Sequence, residues 1–239
     1  MIVITQPTYL PWSGYFDLLD RSETFVFLDD VQFNKRSWQQ KNRIILNNDY
    51  KDLTIPVKKK GLRFQKIKDS KIADKKFIIK HLKTIQSAYS SCKFFKQYFP
   101  RLENSYKSLL NENYVSNINI FLIKLLCDVI NIKTNFILSS SLKINLSGSE
   151  KLAKICMMLN KKKYLTNIGA LEYLNLENEK KFFKTNDIDI YIQSFQCKKY
   201  LQQSKSFLDK ASFIDMLFNE GEKSLEIIRA SREKDKKLI

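Results

Sequence analysis

Apolar and polar positions divide the chain into a strand-rich start, a helical middle and a mixed end. Met1–Ile4 is a short apolar run closed by Thr5-Gln6-Pro7, which predicts a buried strand and then a turn. Ser13 is expected to cap a helix over Gly14–Asp20, with Phe16, Leu18 and Leu19 as its apolar face. Thr24 to Leu28 predicts a second buried strand, ending in Asp29-Asp30. Strand, loop, helix and strand in that order make a parallel pair of an α/β sheet.

Val31 to Asn48 is polar and aromatic with few helix signals, and Leu53–Val57 predicts a third strand. Phe64 to Ile72 alternates weakly and suits a strand or a loop. From Asp74 the period becomes helical: Phe77, Ile78, Leu82, Ile85 and Tyr89 recur at three- and four-residue steps. Further helices are expected near Cys92–Asn111 and Ile118–Ile130, so about 74–132 is a helical mid-section. A strand at Thr134–Leu138, a helix from Gly148 to Leu159, a short strand at Lys163–Leu165, a final strand at Asp187–Ile192 and a helix at Phe213–Phe218 follow. Ser212 and Asp215 stand at the cap and third positions of a capping box. After Glu222 the charged tail is expected to fray. The whole, 1–239, is expected to form one α/β domain with a mixed, mostly parallel sheet, flanking helices and the helical mid-section.

Composition narrows the function classes. No apolar stretch approaches the roughly 20 residues of a membrane span, and the start lacks a basic n-region, so a cytoplasmic location is expected. With five glycines and no G-x-x-x-x-G-K-[ST] or G-x-G-x-x-G, the chain has no glycine-rich phosphate loop. Cys92, Cys127, Cys156 and Cys197 lie far apart, a spacing that suits free thiols and assigns no metal. The net charge of +17 fits attraction to nucleic acid or to a phosphate-bearing substrate, but Lys, Asn and Ile are abundant throughout, as an A/T-rich genome would also produce.

Candidate chemistry concentrates near the start. Two prolines fix the loop after the first strand, where Gln6, Tyr9, Trp12 and Tyr15 offer amide, hydroxyl and stacking contacts at the carboxyl edge of the sheet. The second loop follows the second strand to the same edge. There Asp29 or Asp30 can bind a ribose, an amine or magnesium, or act as a base; Arg36 and Arg43 suit phosphates, and Gln32, Trp38 and Asn42 complete the set. His81 is the only histidine and suits general-base work, although Ile78 and Ile85 one turn away equally suit a packed imidazole. Tyr89 lies two turns further on the same helix.

These segments resemble the WbqC-like family. The resemblance rests on Gln6-Pro-Thr-Tyr-Leu-Pro-Trp12 with Gly14-Tyr-Phe16, on Phe25 to Phe33, and on Arg36-Ser-Trp38 with Asn42-Arg43-Ile44. It continues through His81-Leu82, Ala88-Tyr89 and Ser139-Ser140 to Phe213–Gly221, nearly the whole chain. Where many relatives carry His ahead of Gln-Pro, this chain has Thr5, which shifts weight to His81; where relatives show a Ser-Gly stretch, it has Thr166-Asn-Ile-Gly169. The resemblance implies bacterial O-antigen (lipopolysaccharide) or related glycan synthesis, and transfer of a glycine-type acyl group onto a nucleotide-linked amino sugar. The acyl donor stays open among a CoA thioester, an aminoacyl-tRNA and ATP plus an amino acid, the tRNA being a use for the positive charge. A metal-dependent nucleotidyl or glycosyl transferase built on Asp29-Asp30, and a non-enzymatic binding module of a glycan pathway, are the alternatives.

Overall fold

The computed structural model describes residues 1–239, the side chains of 172 and 173 excepted. Its centre is a six-stranded sheet in the order β5-β2-β1-β6-β7-β8, formed by β1 (Ile2–Thr5), β2 (Thr24–Phe27), β5 (Asn135–Leu138), β6 (Lys163–Thr166), β7 (Asp189–Ile192) and β8 (Lys236–Lys237). The pairs β1–β2, β2–β5, β1–β6 and β6–β7 are parallel; only β8 runs antiparallel, against β7. The sheet is therefore mixed and mostly parallel, as the strand–helix alternation predicts.

Both faces are covered, which is why the strands read as near-continuous apolar runs. Val3, Phe25, Phe27 and Leu165 point into one core, with Phe16 and Leu19 of α1 (Ser13–Arg21) and Ile118 and Leu122 of α4 (Val115–Val129). Ile2, Ile4, Val26, Tyr164 and Ile190 point into the other, with Leu152 and Ile155 of α5 (Gly148–Met158), Leu174 of α6 (Leu171–Leu174) and Phe183 of α7 (Glu177–Lys184). The helical middle, α2 (Phe77–Tyr89), α3 (Phe95–Ser108) and α4, packs on the first face. The chain thus builds outward from β1 through β2 to β5 with helices on one face. It then returns to β6 on the far side of β1 with helices on the other. β1 and β6 flank the point where the winding reverses, and their carboxyl ends leave a crevice there.

The structure differs from expectation in four places. The polar segment before residue 55 forms a separate antiparallel hairpin, β3 (Lys41–Leu46) with β4 (Asp49–Thr54), where a strand at Leu53–Val57 was expected. Asn47 and Asn48 both have positive φ, 54° and 66°, which matches the two-residue hairpin turn whose twist suits the strands. The tail does not fray: it forms α9 (Ser224–Ala230) and then β8, held as Arg229 and Arg232 pair with Asp20 and Arg21 with Asp235. Ser212 does precede α8 (Phe213–Glu220), but its hydroxyl makes no cap bond. Its N–H donates to the Arg43 carbonyl, and Asp215 accepts from Tyr200 and Gln202 instead, so no capping box closes. Ser13 is likewise inside α1, with Trp12 at the cap position. Among the described residues no helix is long and apolar enough to cross a membrane.

Candidate functional site

The loop after β1 is built to hold one shape. Leu28 N–H donates to the Thr5 carbonyl (2.8 Å) and Tyr9 N–H to the Trp38 carbonyl (2.9 Å). The buried Asn119 amide donates to the carbonyls of Pro7 (3.1 Å) and Gln39 (2.7 Å), and Asn42 donates to the Tyr9 carbonyl (3.0 Å). Tyr15 hydroxyl donates to the Gln6 carbonyl at 3.1 Å. Leu10 sits at φ 40°, a strained value for a non-glycine residue that only such over-determined surroundings sustain. Gly14 explains its place in the Pro-Trp-x-Gly motif: a Cβ there would lie 2.4 Å from the Trp12 ring, so only glycine lets the indole lie across the start of α1.

At the reversal point these elements enclose a cleft of two adjoining lobes. One, about 310 Å³, is lined by Thr5, Gln6, Thr8, Ser37, Gln39, Thr166 and Asn167, with Ile4, Leu28, Leu152 and Tyr164 as its apolar floor. The other, about 330 Å³, is lined by Trp12, Tyr15, Trp38, Pro11, Asn42 and Lys210. Thr5, Thr8, Trp38 and Asn167 belong to both. One lobe is thus rich in amides and hydroxyls, the other in aromatic rings. Each matches the lower end of small-ligand sites, roughly 300–1,000 Å³.

Two details mark the shared wall. Among the described residues the Thr8 hydroxyl has no hydrogen-bond partner although it is buried, which in a native interior calls for a water or a ligand. Gln6 accepts from the Gln39 amide at 2.7 Å, which leaves the Gln6 NH₂ as a donor toward the cleft. Trp38 stands at the lip, 45% exposed, with the Arg43 guanidinium stacked on it at 5.2 Å. Among the described residues the walls carry one charge, Lys210, and no carboxylate or imidazole.

The other sequence candidates lie outside these walls. His81 is buried 5.6 Å from the Tyr9 ring and 5.2 Å from Phe77, between centroids. Its Nδ1 is hydrogen-bonded to the Tyr9 hydroxyl at 2.8 Å, and that hydroxyl also bonds the Tyr106 hydroxyl. Burial, aided by the Lys80 charge and opposed by the Thr54 bond, pushes the imidazole down to about 4. It is neutral at pH 7 and braces Tyr9, hence the loop, from beneath.

Asp29 and Asp30, just after β2, tie that strand to the end of β5 and to α5. Asp29 accepts from Ser140 N–H (3.0 Å), Ser140 hydroxyl (2.7 Å) and Ser139 hydroxyl (3.1 Å), at the end of β5. Asp30 pairs with Lys151 of α5 at 2.6 Å, the side chains 10% and 5% exposed. Burial pushes the Asp30 carboxyl up, but the Lys151 and Ser139 bonds outweigh it and hold the group below its usual value. Sequence motifs more than a hundred residues apart, Asp29-Asp30 and Ser139-Ser140, thus meet in one hydrogen-bonded knot. Among the described residues no group of three or more His, Cys, Asp or Glu side chains is arranged to hold a metal.

Tyr89 is fully buried and accepts from the Ile45 N–H at 2.9 Å, away from the cleft. Gln32 donates to the Arg63 carbonyl (3.2 Å) and Arg36 is exposed, so neither reaches the cleft walls. The structure therefore brings Gln6, Trp12, Tyr15, Trp38 and Asn42 together, with Tyr9 and Arg43 directly behind them. It adds Thr5, Thr8, Thr166, Asn167 and Lys210, which no composition signal marked; the departures from the family pattern at Thr5 and Thr166–Gly169 were the one available hint.

The WbqC-like protein family model matches residues 6–227. The uncharacterized protein Rv1507c of Mycobacterium tuberculosis is 28% identical over 235 residues, covering 97% of this chain and 99% of that one. No solved structure matches. Since the matched span begins at Gln6 and takes in every wall of the cleft except Thr5 and Ile4, the chain belongs to the WbqC-like family.

Proposed function

We propose that the cleft binds a nucleotide-linked amino sugar and that the protein transfers a glycine-type acyl group onto its amine, for bacterial surface-glycan synthesis. The observation that carries this reading is the unpartnered Thr8 hydroxyl on the wall between an aromatic lobe and an amide-rich lobe. Trp12, Tyr15 and Trp38 suit the flat faces of a base or a sugar ring. The hydroxyl and amide groups of the first lobe suit sugar hydroxyls, and Lys210 suits a phosphate at the rim.

The same walls suit amide formation. The sugar amine must be unprotonated to attack. Desolvation in the cleft favours its neutral form. Attack forms the C–N bond and opens the acyl carbonyl. The oxyanion is met by donors such as the Gln6 NH₂, the Asn167 amide or the Thr8 hydroxyl. Collapse then breaks the bond to the donor's leaving group, a thiolate, a ribose oxygen or a phosphate. That group takes the proton of the amine, so the chemistry needs no base in the walls. In this reading His81, Asp29 and Asp30 act through the backbone they hold.

The test is mass spectrometry of a 4-amino sugar nucleotide incubated with the protein and each donor: an acyl-CoA, an aminoacyl-tRNA, or ATP with glycine. One donor should add the mass of its acyl group. Trp12→Ala should lower kcat/KM by about thirtyfold, the loss of a ~2 kcal/mol aromatic contact. Sugar binding with no product from any donor would refute acyl transfer while leaving the cleft as the binding site.

A further inference from the structure

Two neighbouring surface segments carry no acid of their own. Positions 31–48 and 58–68 contain no Asp or Glu, and the two segments run side by side: Phe33 N–H donates to the Gln65 carbonyl (2.9 Å) and Ile67 N–H to the Val31 carbonyl (2.9 Å). This places Lys35 and Arg36 with Lys58, Lys59, Lys60 and Arg63. Among the described residues none of the six has an acidic partner. Burial and then the charges of Arg36 and Lys35 hold the Lys59 ammonium below its usual value, as expected where cations crowd without relief. Folding thus concentrates a charge that is spread along the sequence.

At the centre of this basic collar the chain turns at Gly61, φ 74°, and presents Leu62, 43% exposed, and Phe64, 77% exposed, to solvent. The turn is open around Gly61, with nothing within 4 Å of where a Cβ would stand. Arg63 lies over one face of Phe64 at 5.5 Å and leaves the other free. Two bulky apolar side chains at a turn tip are a cost in water unless something covers them. An aliphatic side chain beside an aromatic one, ringed by Lys and Arg, is the arrangement of a segment that inserts into the headgroup region of an anionic bilayer. Single-stranded RNA would use the cations and Phe64, since bases stack on aromatic faces, but would have no use for Leu62.

We infer that the turn at 58–68, with Lys35 and Arg36 beside it, docks the protein on an anionic membrane surface. Ser37, Trp38 and Gln39 continue directly from Arg36 into the cleft wall, so docking would set the cleft mouth close to the bilayer. This stands whether or not the cleft takes an amino sugar, because it rests on different residues.

Co-sedimentation of the intact protein with vesicles of phosphatidylcholine alone, or mixed with phosphatidylglycerol, tests it. Binding should need the anionic lipid and weaken as salt rises. Leu62→Ser with Phe64→Ser leaves the charge unchanged and lies on an exposed turn; it should lower vesicle partitioning by about tenfold or more while the melting temperature holds. Lys58→Gln with Lys59→Gln and Lys60→Gln should do the same through charge. Vesicle binding that the Leu62/Phe64 pair leaves unchanged would overturn the inference, as adhesion by net charge alone. So would absence of vesicle binding, or binding of a single-stranded RNA oligonucleotide through these residues with no vesicle binding; that outcome would reassign the surface to RNA.

Discussion

Asp30→Ala should destabilise the protein by about 3–5 kcal/mol, because it leaves the Lys151 ammonium buried without its counter-charge. For a chain of this size that is a fall in melting temperature of roughly 10 °C. The pair is not expected to be a net source of stability. Replacing both partners, Asp30→Ala with Lys151→Met, should recover most of the loss, since a buried ion pair and an apolar pair of similar volume are often equivalent. Thermal unfolding of the two single variants and the double variant checks this. If Asp30→Ala and the double variant melt alike, the knot of Asp29, Asp30, Ser139 and Ser140 does not depend on the charge. There is a functional corollary: Leu152, next to Lys151, is part of the cleft floor, so the single variant should also weaken ligand binding.

His81 should make the protein acid-sensitive at a pH where carboxylates are still ionised. Its folded value of about 4 lies below the ordinary value of 6.5, so the unfolded chain takes up the proton first. Stability is then fully present above pH 6.5 and falls as pH drops from 6.5 towards 4. The total contribution lost is about 3 kcal/mol. The native carboxylates that are held low, Asp30 and Asp20, act in the same direction but at lower pH, near and below 3.8. Denaturant unfolding of the wild type and His81→Gln between pH 7 and 4.5 separates them: His81→Gln should flatten the slope. An unchanged slope would mean that the imidazole is not held neutral. Because His81 braces Tyr9, cleft binding should weaken in the same window.

Much of the sheet was legible because its strands are buried on both faces. Ile2 to Ile4 and Phe25 to Leu28 are unbroken apolar runs, and the steps of Phe77, Ile78, Leu82 and Ile85 mark α2 directly. The β3–β4 hairpin was not legible for the opposite reason: it is half exposed, and Arg43, Asp49, Lys51 and Asp52 hide its alternation. The tail misled in the same way. Its charges read as solvated, but Arg229 and Arg232 reach back about two hundred positions to Asp20 of α1, a pairing that no local pattern contains.

The candidate site was legible in part. Of the first loop, Gln6, Thr8, Pro11 and Trp12 line the cleft, together with Trp38. Residue chemistry alone overvalued the ionisable groups. His81, Asp29 and Asp30 are titratable and sit in memorable motifs, yet each spends its polar atoms on backbone or on neighbouring side chains. Thr8 and Asn167 carry no such signal. What distinguishes Thr8 among the cleft-lining residues is that no described residue satisfies its hydroxyl, a property of the packed structure that composition and spacing do not record.

The central claim is that this two-lobed cleft takes the sugar nucleotide. Its most direct test is a thermal-shift comparison of wild type, Thr8→Val and Trp12→Ala against UDP- and dTDP-linked sugars with and without a 4-amino group. A ligand at about 100 times its dissociation constant should stabilise the wild type by roughly 2.7 kcal/mol. Amino sugar nucleotides should give that shift in the wild type and a much smaller one in both variants at the same concentration. No shift with any sugar nucleotide, or an equal shift in all three proteins, would contradict it.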